Sequence, residues 1–170
     1  DLQYSNTKSM VTVGHRTFSF IATDVAGITS TSSVATINVI DTTAPAAPGI
    51  DLLATSDTGS SDLDDMTNDT TPTLRVTLNQ AGVVATRAVV GDVVKLFEGS
   101  TEVGSATLLQ SHIDAGFVDI TSTMRIPGTL SFTATVTDAF TNASSASGAL
   151  PVMLDTTAPL LAAAQVYANT

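Results

Sequence analysis

The sequence predicts an all-β fold: two antiparallel sheets of short strands packed as a sandwich. Strict polar/apolar alternation in short segments, the scarcity of any helical period and the turn residues between segments all point there. The clearest segment is TLSFTATVTD, Thr129 to Asp138. Leu130, Phe132, Ala134 and Val136 share one face, and Ser131, Thr133, Thr135 and Thr137 share the other. That is a half-buried antiparallel strand built from residues that suit a pleated surface. Thr17 to Asp24 keeps Phe18, Phe20 and Ala22 on one face in the same way. A strand is expected near Ile50 to Ala54 and another over Thr73 to Leu78. Val93 to Leu108 reads as a hairpin turning near Gly99 and Ser100. Phe117 to Met124 and Ser147 to Leu154 give further strands, and Val84 to Val90 reads equally as a strand or an irregular loop.

Internal repetition sets the organisation. Gly14 to Pro45 aligns with Gly128 to Pro159 without a gap, Asp24 falling on Asp138 and Asp41 on Asp155. The pentapeptide DTTAP recurs at Asp41 to Pro45 and Asp155 to Pro159, 114 residues apart. Residues 1–41 are therefore expected to be the C-terminal part of one unit, 42–155 a complete unit, and 156–170 a linker and the start of the next. The chain reads as a window from a tandem array. About seven short strands in roughly 100 residues match an immunoglobulin-like sandwich.

Composition narrows the function. The 170 residues carry 6 Lys and Arg against 16 Asp and Glu, a net charge of -10. Such a chain is not expected to bind nucleic acid or an anionic membrane through bulk charge. It contains no Cys, which excludes disulfides, thiol catalysis and thiolate metal sites. No apolar run is long enough for a transmembrane helix, so no direct membrane insertion is expected. Without the disulfide and tryptophan of antibody domains, the sandwich depends on apolar packing of mostly small residues.

One segment stands apart. SDTGSSDLDDMTNDTTP, Ser56 to Pro72, holds Asp57, Asp62, Asp64, Asp65 and Asp69 and no Lys or Arg. Calcium takes about six to eight oxygen ligands, and carboxylates on a turning backbone supply them. Asp62, Asp64 and Asp65 are close enough in sequence to converge, Asp57 can close the shell from the other side of Gly59, and Thr58, Thr67 and Asn68 offer further oxygens. A divalent ion would also relieve the carboxylate repulsion. The spacing is not that of an EF-hand. The plain alternative is a solvated loop in which Asp and Ser form turns. In an immunoglobulin-like sandwich this loop lies at the pole where the chain leaves the domain, near Asp155, so Asp69 and Asp155 join the candidate ligands and metal there could tie the domain to its neighbour. The loop holding Asp138 lies at the opposite pole, near Asp41, and forms a weaker second candidate.

Taken in order, DTTAP, an apolar strand, the acidic segment, the VKLFEG strand and the TATVTD strand before the next DTTAP resemble the tandem bacterial Ig-like domains of giant type I-secreted, BapA-like and RTX-type surface adhesins. The resemblance covers unit 42–155 and both flanking pieces. Family members often carry Asp-Asn where Asp64-Asp65 stands, and Ala-Gly-Asn after the Asp where this chain reads DVAG and DAFTN. The resemblance implies an extracellular, cell-surface extender that holds an adhesive domain away from the cell in adhesion or biofilm formation. It implies Ca2+ stiffening the domain junctions, with neighbouring repeats of the same chain as partners.

Catalysis is not expected. His15 and His112 do not recur between copies, and position 15 pairs with Thr129. Glu98 and Glu102 flank a hairpin turn and read as exposed turn acids. Asn68 and Asn142 begin glycosylation sequons of a kind that arises by chance. Two other functions fit the composition. One is a module binding glycan or protein through its loops, which exposed aromatics would favour; Tyr4 and Tyr167 both fall outside the complete unit. The other is an accessory domain of a secreted hydrolase.

Overall fold

The computed structural model describes residues 14–160. Tyr4, Tyr167 and most of the expected start of a further unit lie outside the described residues. In chain order the elements are β1 (Gly14–Phe20), β2 (Ser33–Val39), β3 (Gly49–Leu52), β4 (Met66–Thr67), β5 (Thr73–Thr77), β6 (Val93–Glu98), β7 (Thr101–Thr107), α1 (Gln110–Ala115), β8 (Phe117–Thr121), β9 (Gly128–Thr137) and β10 (Leu150–Leu154).

From β3 onward the chain forms an immunoglobulin-like β-sandwich. One sheet has the order β3-β5-β8 and the other β4-β10-β9-β6-β7. The alternation drives this arrangement. Leu130, Phe132, Ala134 and Val136 of β9 are buried, and they meet Leu74 and Val76 of β5, Leu96 of β6 and Val152 of β10 in one core. Phe132 is the largest fully buried side chain and the core is otherwise aliphatic. Burying such side chains is worth roughly 1.5–3 kcal/mol each. The hairpin β6–β7 turns at Gly99 and Ser100 as its sequence requires, with a register shift between Leu96 and Phe97.

Three local features differ from expectation. Val84–Thr86 is a single 3-10 turn. Helix α1 has six residues, too few to show a period, and closes on Gly116 at φ 77. His112 serves it, its Nδ1 accepting the Leu109 N–H at 3.1 Å. Strand β4 has two residues and arises inside the acidic segment. It pairs in parallel with the end of β10, Met66 with Met153 and Thr67 with Leu154. The acidic segment thus carries the chain from one sheet to the other.

Ahead of the sandwich, β1 and β2 form a separate hairpin. Its turn repeats the main-chain hydrogen bonds of the β9–β10 turn. Asp24 Oδ1 accepts the N–H groups of Ala26 and Ile28, as Asp138 Oδ1 accepts those of Phe140 and Asn142. The strands after the turn differ, however. Phe18 faces Ala35, whereas Phe132 faces Leu150, so the gapless alignment conceals a slip of one residue. A slip of one flips every side chain of a strand, so the apolar pattern decides the register. In β2 that pattern runs through Ala35, Ile37 and Val39; in β10 it runs through Val152 and Leu154.

Candidate metal centre

The acidic segment is closed at its base by its own polar side chains. Ser56, buried, donates through Oγ to Asp69 Oδ2 at 3.1 Å and accepts the Thr73 N–H at 3.0 Å. Asp69 Oδ1 accepts the Thr71 N–H at 2.8 Å and the Thr71 hydroxyl at 3.1 Å. The Thr67 hydroxyl donates to the Ser56 carbonyl. Thr58 Oγ1 accepts the Asn68 N–H at 2.8 Å and donates to Asn68 Oδ1 at 2.9 Å. Asp69, Thr58, Thr67 and Asn68, grouped by sequence with the cation ligands, are therefore engaged in holding the loop together.

Of the other carboxylates, Asp57 is buried, Asp65 is half-buried and Asp64 is exposed. Asp57 is 6% exposed. Its Oδ2 accepts the Asp65 N–H at 3.3 Å, while its Oδ1 is buried with no hydrogen-bond partner. A buried carboxylate oxygen without a partner is costly and calls for a cause. Asp65 sits in the left-handed region at φ 55, which short polar residues tolerate best. Burial pushes its carboxyl above the usual carboxylate range, and the charges of Asp51, Asp57 and Asp64 push it further. Asp64 Oδ1 accepts the Met66 N–H at 3.2 Å. The same oxygen lies 3.2 Å from where a Cβ on Gly59 would stand, so residue 59 has little room for a side chain. Asp62 is exposed on the same loop.

Among the described residues, no ion pair reaches these carboxylates. The ion pairs among the described residues are Arg75–Asp119, Lys95–Glu102 and Arg125–Glu98, all elsewhere. Glu98 and Glu102 are thus paired surface acids. The donor set of the acidic loop is all oxygen, which suits a hard divalent cation such as calcium. An ion at the unpartnered Asp57 Oδ1 would relieve a buried charge. Among the described residues, no three carboxylates lie close enough together to form a finished chelate. The fit rests on donor chemistry and the unpartnered oxygen.

Asp155 lies on the linker side of the loop, in a groove shared with Thr58, Gly59, Thr67, Asn68 and Met153. Its N–H donates to the Thr67 carbonyl at 2.9 Å, and its Oδ1 caps the Thr157 N–H at 2.8 Å. At the opposite pole, Asp41 Oδ1 caps Thr43 in the same way at 2.8 Å. Asp41 and Asp138 line a second groove there together with Asp92, Val84 and Phe140. Desolvation alone would raise the Asp138 pKa, but hydrogen bonds from the Asn142 side chain and the Asn142 and Phe140 main chains hold it below the usual carboxylate range. With Oδ1 and Oδ2 both accepting hydrogen bonds, this carboxylate is already served by the protein.

Two acids escaped the sequence reading. Asp51 sits on β3 and reaches the acidic loop only through the sandwich. Asp92 is 2% exposed; burial raises its pKa, the Val89 N–H on its Oδ2 opposes this, and Asp138 adds to the rise. The available signal for Asp92 was its place after Gly91 at the head of an apolar strand.

The family model described as bacterial Ig-like domain matches residues 43–156. The chain belongs to the bacterial Ig-like domain family. Among solved structures, a biofilm-associated protein BSP domain is similar at 19% identity and a TM-score of 0.42, over 88% of this chain and 20% of that one. This bacterial Ig-like chain thus spans about a fifth of the structure it resembles. A search of curated proteins finds no match.

Proposed function

We infer that this bacterial Ig-like chain is a non-catalytic extender segment of a long, secreted bacterial surface adhesin of the giant RTX type. Sandwiches in tandem would set its reach, and calcium in the acidic loop would stiffen its C-terminal pole. The observation that carries the reading is the buried, unpartnered Asp57 Oδ1 beside the crowded Asp65.

The path from ion to stiffness is short. Asp57, Asp64 and Asp65 would hold the cation, and the ion would supply the positive charge the loop lacks. The backbone of the same loop then holds the strand that leads out of the domain. The Asp65 carbonyl accepts the Met153 N–H and the Thr67 carbonyl accepts the Asp155 N–H, each at 2.9 Å. An ordered loop therefore anchors the start of the second DTTAP linker. Binding the folded state also stabilises it by mass action. Extracellular calcium modules have affinities of about 10⁻⁴–10⁻³ M, so millimolar calcium is the relevant range.

Calorimetric titration with calcium tests the site. Saturable binding that weakens in the Asp64→Ala/Asp65→Ala double variant is expected; no heat at millimolar calcium overturns the metal reading. Small-angle scattering tests the mechanics, since identical profiles in calcium and in chelator would overturn stiffening.

A loop-binding module is the second reading, and Phe140 is the observation in its favour. This aromatic is exposed on the β9–β10 turn and lines the groove at the N-terminal pole. The same groove is lined by Asp41, Thr43 and Pro45 of the linker, which favours a role at the junction between units.

A further inference from the structure

We propose that Asn142 is a latch that fastens the DTTAP linker to the unit that follows it, so that the linker and residues 46–155 move as one body without any metal. The inference rests on the tandem reading only where it is extended beyond this chain.

The linker is gripped at both ends by the downstream unit. At its start, Asn142 Nδ2 donates to the Asp41 carbonyl at 3.2 Å, across 101 residues of sequence. At its end, Pro45 is buried, and the Ala46 N–H donates to the Thr86 carbonyl at 2.8 Å. Pro48 is buried as well. Between these grips the linker shapes itself, Asp41 Oδ1 capping the Thr43 N–H at 2.8 Å. Proline fixes one backbone dihedral and lowers the freedom left to the segment.

Asn142 is itself held rigidly. Its second Nδ2 hydrogen bond goes to Asp138 Oδ2 at 2.8 Å, and its N–H donates to Asp138 Oδ1 at 2.8 Å. Both side-chain N–H donors of the amide are thus used, one to fix the side chain and one to reach the linker. The turn of the preceding copy has the same frame around Asp24 but places Ile28 at the corresponding position. Ile28 has no side-chain donor and is exposed. The Asp frame therefore forms the turn in both copies, and only the asparagine adds a reach to the linker.

The joint then falls upstream of Asp41, at Ile40, which follows the last residue of β2 and is exposed. At the other end of the unit, the Asp155 N–H is already bound to Thr67. In a tandem array, a following unit with asparagine at this position would reach the Asp155 carbonyl, as Asn142 reaches that of Asp41. A linker followed by such a unit would be held on its upstream side by main chain and on its downstream side by an amide, whereas a unit with isoleucine at that position, as at Ile28, would leave its linker without the latch.

The test is 15N relaxation of the whole 170-residue chain in chelator, comparing wild type with Asn142→Ala and the shape-preserving Asn142→Leu. In both variants the heteronuclear NOE of Thr42, Thr43 and Ala44 should fall by at least about a third. Ala46, held by Thr86, should keep its value. Unchanged values at Thr42–Ala44 overturn the latch. So does loosening confined to Phe140 and Thr141, which would mean that Asn142 only supports its own turn. Working in chelator separates this result from the calcium reading: a chain that binds no calcium can still show the latch, and one that binds calcium can lack it.

Discussion

The N–H of Asp155 donates to the carbonyl of Thr67 at 2.9 Å, joining the linker to a loop that lies 88 residues earlier in the chain. The neighbouring bond from Met153 to Asp65 repeats the contact one pair back. Together they make the two-residue strand β4, so whatever orders the acidic loop also orders the exit of the domain.

Asp57 is the side chain on which the metal reading depends. In chelator, Asp57→Asn removes a buried charge from a repulsive cluster and should raise stability by about 1 kcal/mol. That corresponds to a rise of roughly 4 °C for a domain of this size. The same change should abolish most of the calcium-induced rise in melting temperature. Scanning calorimetry in chelator and in millimolar calcium reads both; a variant that is less stable in chelator and still responds fully to calcium would refute the assignment.

The acid clusters set the pH dependence. Asp65 and Asp92 have raised folded-state pKa values, so the folded chain binds more protons than the unfolded chain just below those values. Stability in chelator should rise as pH falls from neutral through them, the gain being complete below the ordinary carboxylate value. Asp138 acts oppositely, because its depressed pKa contributes stability above the ordinary value that is lost as pH falls through the depressed one. A melting temperature that climbs on mild acidification and drops at stronger acid is expected. A monotonic fall from neutral pH would contradict the placement of Asp65 and Asp92.

Thr141 occupies a left-handed backbone position at φ 70, where the other copy has Gly27 at φ 80. An L-residue there costs roughly 1–2 kcal/mol, and the entropy of glycine returns part of that. Thr141→Gly should therefore stabilise the unit by a net of roughly 0.5–1 kcal/mol. Chemical denaturation measures it, and a loss of stability would show that the threonine side chain makes a compensating contact.

Gly104 on the edge strand β7 lies against β8, the edge strand of the other sheet. A Cβ there would stand 2.8 Å from Ile120 Cγ2 and 3.1 Å from the Thr121 carbonyl. Ile120 is buried and the carbonyl belongs to β8, so neither yields easily. Gly104→Ala should cost about 1–3 kcal/mol through overpacking. A neutral result in denaturant melts would mean that β7 and β8 can separate freely.

Much of the sandwich was legible because its signals are local. The alternation of β9 names its own buried face, and Gly99-Ser100 names its own turn. The repeat also transferred correctly at the turns, where Asp24 and Asp138 make the same bonds with residues two and four positions on. It misled in β2, where the letters align but the apolar pattern is displaced by one residue. Within the acidic loop, carboxylate content was legible and the division of labour was not. Asp69 and Asp57 look alike in sequence, yet one accepts three hydrogen bonds and the other keeps an oxygen with none.

The all-β class, the position of the hairpin turn and the excess of negative charge in one loop can be read from the residues alone. Each follows from side-chain periodicity, turn chemistry or composition, which act over a few residues. Which carboxylates are buried, the presence of Asp51 in the field around Asp65, the formation of β4 and the reach of Asn142 to Asp41 emerge only once the chain is folded. Those contacts join residues from 14 to 101 positions apart, and their partners become neighbours only when the two sheets close on a common core.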